Sequence, residues 1–265
     1  MWNRGPSIFW GGVLVVLGLL FLLANTGILE NVNWDYVWPV LLIALGLWLL
    51  AARIGPGGAT ADVDSAEPRE ELSKAKLEIA VGSGRIEVRS ASIGDELYKT
   101  HIEHGGTAPE VRLDRASGTV RISQRPGWFA GARRLRIDTQ VTEAIPWEVS
   151  CSTGAIRGEF DFSMGELSAF ECRTGASQID LNLGTPKGNV PIRIEGGALT
   201  VNIVRAAGAA IGVQASGGAV QIQADGAHLD GIGSREWRSH EFDAAVDGYD
   251  VTVQGGALKV NVSTR

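Results

Sequence analysis

Apolar and polar residues alternate along the chain from Lys74 to its end. Leu77, Ile79 and Val81 open the pattern, and Ile86 and Val88 continue it. The same period of two returns over residues 135–138, 179–183, 190–194, 211–213 and 249–253. It predicts strands with one face buried and one solvated. No segment of this region has a helical period.

One repeated corner punctuates these strands. Glu195-Gly-Gly-Ala-Leu-Thr-Val-Asn-Ile203 returns as Gly217-Gly-Ala-Val-Gln-Ile222 and as Gly255-Gly-Ala-Leu-Lys-Val-Asn-Val262, with looser copies at Gly84, Gly118, Gly154 and Gly175. Gly154, Gly175, Gly197 and Gly218 are separated by 21, 22 and 21 residues. A fixed period with a glycine corner predicts an all-β, solenoid-like stack of coils over residues 74–265, because one coil cannot bury its apolar face alone. The longer intervals, 84 to 118, 118 to 154 and 218 to 256, predict an added strand pair or loop. Three residues before the corners stand Val81, Cys151, Cys172, Ile194, Ala215 and Val253, all apolar or small, whereas Arg115 before Gly118 marks an irregular coil. This column leaves two readings of the cysteines. They are a redox pair on neighbouring coils, about 5 Å apart, or two small core residues, which the column and a reducing cytoplasm favour.

Before Lys74 the pattern differs. Residues 8–29 are 22 uncharged residues, and residues 36–52 are 17 more. They predict a two-helix transmembrane hairpin over residues 8–52, after a short tail over residues 1–7. Trp10, Trp34, Tyr36, Trp38 and Trp48 lie towards the ends of the two runs, as amphipathic rings do at a bilayer surface. A cleaved signal peptide is the alternative for the first run, but its length and the second run close behind it speak for the hairpin. Arg4, Arg53 and Arg69 flank the hairpin, and its turn holds Glu30 and Asp35 without Lys or Arg. The positive-inside rule therefore places both termini in the cytoplasm. Residues 53–73, rich in Gly, Pro, Ala and acids, read as a flexible linker.

Composition narrows the chemistry. The net charge of −6 gives no electrostatic case for nucleic acid. Two cysteines make no disulfide framework, and no Cys/His cluster has zinc spacing, so no metal or cofactor is expected. His101 and His104, three apart in a strand, point to opposite faces. Solenoid enzymes line one face with acids across successive coils, but Gln, Asn, Thr and Arg are expected there, so no enzymatic activity is expected. Two segments stand out. Between two predicted strands, Arg125, Arg133, Arg134 and Arg136 accompany Trp128 and Phe129, a composition suited to anionic lipid headgroups or an acidic partner, or to a solvated hairpin loop. Residues 226–248 read as a long loop, either functional or a cap on the last coil with Trp237 and Phe242 as its plug.

Gly12-Val-Leu-Val-Val-Leu-Gly-Leu-Leu-Phe-Leu-Leu23 and Trp38-Pro-Val-Leu-Leu-Ile43 resemble the two-span LiaI/LiaF-like membrane region. Ile145-Pro-Trp-Glu-Val149, Thr153-Gly-Ala155 and Leu167-Ser-Ala-Phe-Glu-Cys-Arg-Thr-Gly-Ala176 resemble the LiaF C-terminal, toast-rack β-domain. The segment from Trp237 to Ala257 looks like that family's closing strand pair. The resemblance implies a bacterial cytoplasmic-membrane protein with a stacked β-domain. For some relatives it implies regulation of cell-envelope stress signalling through a sensor kinase, and it supplies no catalytic motif. The expected function is regulation or interaction, with the bilayer and a membrane or cytoplasmic protein as partners. The alternatives are a self-associating, homo-oligomeric or membrane-binding scaffold, and an outward-facing sensor of an envelope ligand.

Overall fold

The structure, a computed structural model, describes Ile43 and residues 61–124, 135–242 and 245–265. The chain divides into two compact units, Met1–Pro56 and Gly57–Arg265. In the first unit only Ile43 is described, and it is helical. The expected hairpin otherwise lies outside the described residues, among which no helix is long and apolar enough to cross a membrane.

The second unit is one sheet of thirteen strands. In chain order these are β1 (Ala61–Pro68), β2 (Ala75–Ala91), β3 (Glu96–His104), β4 (Glu110–Asp114), β5 (Thr119–Ser123), β6 (Leu135–Thr142) and β7 (Trp147–Phe162). Then follow β8 (Leu167–Arg173), β9 (Ala176–Leu183), β10 (Asn189–Arg205), β11 (Ala210–Ala224), β12 (Ala227–Arg238) and β13 (Gly248–Thr264). The long strands cross a glycine corner, so each contributes a half to the sheet before the corner and a half to the sheet after it. β2, β7, β8 with β9, β10, β13 and β11 pair in that order, all parallel.

Their register stacks like on like. Before the corner, Leu77, Val149, Phe170, Ile192, Val251 and Val213 form one buried column. After it, Val88, Phe160, Leu181, Ile203, Val262 and Ala224 form another. The two sheets meet where the Phe160 and Phe170 rings pack edge to face with centroids 4.9 Å apart. Each fully buried aliphatic or aromatic side chain contributes about 1.5–3 kcal/mol relative to exposure. Gly158 interrupts its inward column, and the Phe160 ring fills the space, 2.7 Å from where a Cβ would stand.

The corners need glycine because the backbones touch. A Cβ on Gly154 would stand 2.6 Å from the Gly82 carbonyl oxygen, and one on Gly175 would stand 2.5 Å from that of Gly154. The Gly175 and Gly197 amides donate to the Gly154 and Gly175 carbonyls, both at 2.6 Å.

Several expectations are corrected. The first corner of the ladder is Gly82, not Gly84, so Ile79 rather than Val81 shares the column of Cys151. Alternation alone cannot choose between two glycines two residues apart. Gly118 is no coil corner: with φ of +66° it occupies the turn from β4 to β5. β13 lies between β10 and β11, so the last copy of the repeat is inserted rather than added at the end. Residues 61–68 are not linker. β1 pairs antiparallel with β3 from Ala61 opposite His104 to Pro68 opposite Glu96, and Val63 packs against the core. Residues 226–248 are likewise not one long loop, since β12 pairs antiparallel with β11 along most of its length.

Candidate interaction surface

The sheet after the corner carries an ordered polar outer face. Glu87, on β2, is its centre and only 2% exposed. It accepts from Arg85 at 2.6 Å, Arg89 at 2.7 Å and Arg136 at 3.1 Å. Arg85 and Arg89 flank it on its own strand, where residues two apart share a face. Arg136 comes from β6, in register with Arg85. A carboxylate this buried is tolerated because its oxygens are filled by three cations whose outer sides remain in water.

Register builds a column of acids around it. Asp138, Glu87, Glu159 and Asp180 lie side by side on β6, β2, β7 and β9. This corrects the expectation that Gln, Asn, Thr and Arg replace acids on successive coils. Like charges about 5 Å apart repel by about 3 kcal/mol at an effective dielectric constant near 20, so the arginines around Glu87 are needed to hold the column. Further along, Asp180 accepts from Asn202 at 2.5 Å and from Gln178 at 3.2 Å, and Asn261 donates to Asn202 at 2.7 Å. Acid thus gives way to an amide ladder.

The sheet before the corner is also patterned. Lys76 bonds Glu148 at 2.9 Å, which raises its pKa, and Arg121 bonds Glu78 at 2.7 Å, which lowers that carboxyl below its usual range. Arg173 joins Glu171 and Glu195 at 2.6 and 3.5 Å.

Beyond β6, β3 and β1 extend the face. His101 on β3 lies opposite Asp138 and bonds Asp64 of β1 through Nδ1 at 2.7 Å, and that bond raises the imidazole pKa. His104, on the opposite face, is buried. Among the described residues no His, Cys, Asp and Glu group is arranged to hold a metal.

Between the sheets the corner forms a smooth ridge. Ala176, Ala198, Ala257 and Ala219 lie in one register row on β9, β10, β13 and β11, all exposed. At the β12 end the ridge opens into a groove of about 690 Å³, floored by Ala198, Ala257 and Ala219 and walled by Ile232. Lys259 and Asp230 line its sides.

Of the residues singled out in the sequence, Arg136 joins the Glu87 cluster. Arg125, Trp128, Phe129, Arg133 and Arg134 lie outside the described residues. Gln124 bonds Ala80 before the corner, and Arg136 pairs with Arg85 after it. Trp237 lies opposite Val213, partly buried against the core. Phe242 is on the other side, its ring 2.8 Å from where a Gly212 Cβ would stand and 5.5 Å from the Arg238 guanidinium. The expected two-ring plug is thus split between faces. Cys151 and Cys172 are register partners, both buried and both free. The Cys172 thiol, together with burial, pushes Cys151 well above the usual thiol range, which removes the reactive thiolate at neutral pH.

The Glu87 cluster and Ile232 were not found in the sequence. Register across distant segments creates the first. The pattern Gly231-Ile-Gly233 is the one local clue to the second.

Residues 57–204, more than half of the chain, match the family model for the N-terminal domain of toast_rack, DUF2154. Residues 8–50 match the LiaI-LiaF-like transmembrane region. No curated protein matches the chain. A crystal structure of a candidate cell adhesion protein from Clostridium sporogenes superposes with a TM-score of 0.67 at 20% identity, covering 78% of this chain and 100% of that one. A candidate adhesin structure from Bacteroides fragilis covers 79% of this chain and 100% of its own at 8% identity, but its TM-score of 0.22 carries no argument.

Proposed function

This chain belongs to the toast-rack, DUF2154 family of LiaF-like membrane proteins, and from that premise we propose that it is a non-enzymatic regulator. In this reading a two-helix hairpin anchors it in the bacterial cytoplasmic membrane, both termini lie in the cytoplasm, and the rack presents a rigid face to a sensor kinase of the cell-envelope stress response. The Glu87 cluster carries the reading. Among the described residues, the one acid buried on the outer face is held by three arginines, which suits a fixed pattern of charge for recognition. A preformed face costs little ordering on binding.

The test is purification of the tagged full chain from membranes after mild crosslinking, followed by reconstitution with the kinase it captures. The reading expects kinase autophosphorylation to change several-fold when the chain is added, and Arg85→Glu to reduce that change. An unchanged kinase, or capture of none, counts against it.

The fold likeness to the Clostridium sporogenes protein, whose name mentions cell adhesion, favours a second reading, an outward-facing scaffold. Sidedness separates the two. A Ser263→Cys variant, exposed near the end of β13, is protected from impermeant thiol reagents in intact cells under the first reading and labelled under the second.

A further inference from the structure

We infer that the β12 end of the rack is a self-pairing surface: a second copy of this chain seats its Ile232 in the alanine-floored groove, and receives the first copy's Ile232 in return.

Ile232 is 79% exposed, among the largest exposed apolar side chains of the described residues. It sits at a bulge, where Gly218 and Ala219 of β11 oppose it between the pairs Gly217–Gly233 and Val220–Gly231. The bulge is held rather than frayed. The Arg235 guanidinium donates from Nε to the Asp230 carbonyl at 3.3 Å and from Nη1 to the Ser234 carbonyl at 2.9 Å, so one side chain ties both ends of the segment. That guanidinium lies where a Gly231 side chain would be, and Gly233 takes the left-handed φ of +87° that the turn requires. Two glycines and an arginine thus present one isoleucine to solvent. Elsewhere an exposed isoleucine needs no explanation, but a braced one beside an apolar groove does.

The groove fits this side chain. Ala198, Ala219 and Ala257 contribute small methyl groups to its lining beside Leu199 and Leu258, and Ile232 stands on the same surface at its wall. A knob and a hole on one surface are what a two-fold axis requires, since each contact then occurs twice. The charges agree. Lys259 lies opposite Gln221, and Gln221 opposite Asp230, so the backbones that carry the two charges are two strands apart, roughly 10 Å. Lys259 has no ion-pair partner among the described residues, and Asp230 bonds the exposed His228 at 2.7 Å. A two-fold through the groove brings Lys259 of each copy to Asp230 of the other. Edge pairing through the β12 backbone is a different arrangement, which the bulge and the inward-turned Arg235 oppose.

The inference does not rest on the signalling reading. The experiment co-expresses the full chain with two different tags, solubilises membranes gently and measures how much of one tag is recovered with the other. Ile232→Asp should lower recovery at least tenfold. Asp230→Lys and Lys259→Asp should each lower it, and the two together should restore it. Ile232→Asp changes an exposed side chain, and the charge swap provides a test that does not depend on it. Recovery unaffected by all four variants would overturn the inference and assign self-association to the membrane segment. A monomeric wild type would overturn it too, including one whose rack binds vesicles of anionic lipid through Ile232.

Discussion

β1 and β12 close the two ends of the sheet after the corner, and both do so as antiparallel edge strands on an otherwise largely parallel stack. They manage their free edges differently. β1 carries Asp62, Asp64 and Glu67, ends at Pro68, and is held by polar contacts: His101 to Asp64 at 2.7 Å, Ser65 to Tyr98 at 3.0 Å and Arg115 to Glu67 at 2.9 Å. Charge and proline repel a further strand. β12 instead bends at a bulge, turns Arg235 towards the inner side and packs Trp237 on the core. The first device yields an acidic edge three strands from Glu87. The second yields a braced apolar knob beside a groove. Closing a stack and building a contact surface are thus separable at one end and combined at the other.

Both ends rest on the ladder of glycine corners between them, and breaking that middle should have the largest effect. Gly175→Ala would drive a Cβ to 2.5 Å from a backbone carbonyl that neighbouring strands hold in place. We expect a loss of about 3 kcal/mol, read as a lower denaturant midpoint for the folded chain. Next come the two ends. Glu87→Gln leaves three arginines facing one another, each about half exposed; because water screens them, the expected loss is about 2 kcal/mol rather than the larger cost of a fully buried pair. Trp237→Ala removes a partly buried ring from the β12 end and should cost about 1–2 kcal/mol. If hydrogen exchange shows that the Glu87 variant loosens β12, or the Trp237 variant loosens β1, the ends are not independent.

The smallest effect is a pH dependence at β1. The bond to Asp64 raises the His101 pKa above its ordinary value of 6.5. A raised value means the contribution is fully present below pH 6.5 and is lost as pH rises through the higher folded-state value. Both side chains are well exposed, so it amounts to less than about 0.5 kcal/mol. Amide exchange in β1, corrected for intrinsic rate, should quicken slightly across that window. His101→Gln should abolish the trend. Tracking of the trend by β12 amides would show that it is global.

The middle of the rack was legible because its cause is local. A glycine at Gly154, Gly175, Gly197 and Gly218 and an apolar residue every second position record the same contact repeated. The slot taken by β13 was not legible, because Gly255-Gly256-Ala257 fits any place in the ladder. β1 was hidden by its acids, since an exposed edge strand has little need of apolar residues. β12 was hidden by the glycines that make its bulge. The outer face was least legible of all: Asp138, Glu87, Glu159 and Asp180 become neighbours only through register.

The most direct test of the difference between the ends is an inter-copy distance measurement by pulsed spin resonance on the full chain in lipid nanodiscs. Labels at Glu236→Cys on β12 and at Ala66→Cys on β1 occupy exposed positions, while Cys151 and Cys172 stay buried from the reagent. A defined inter-copy distance from β12 with only a broad distribution from β1 is the predicted result. A defined distance from β1 with none from β12 would contradict it.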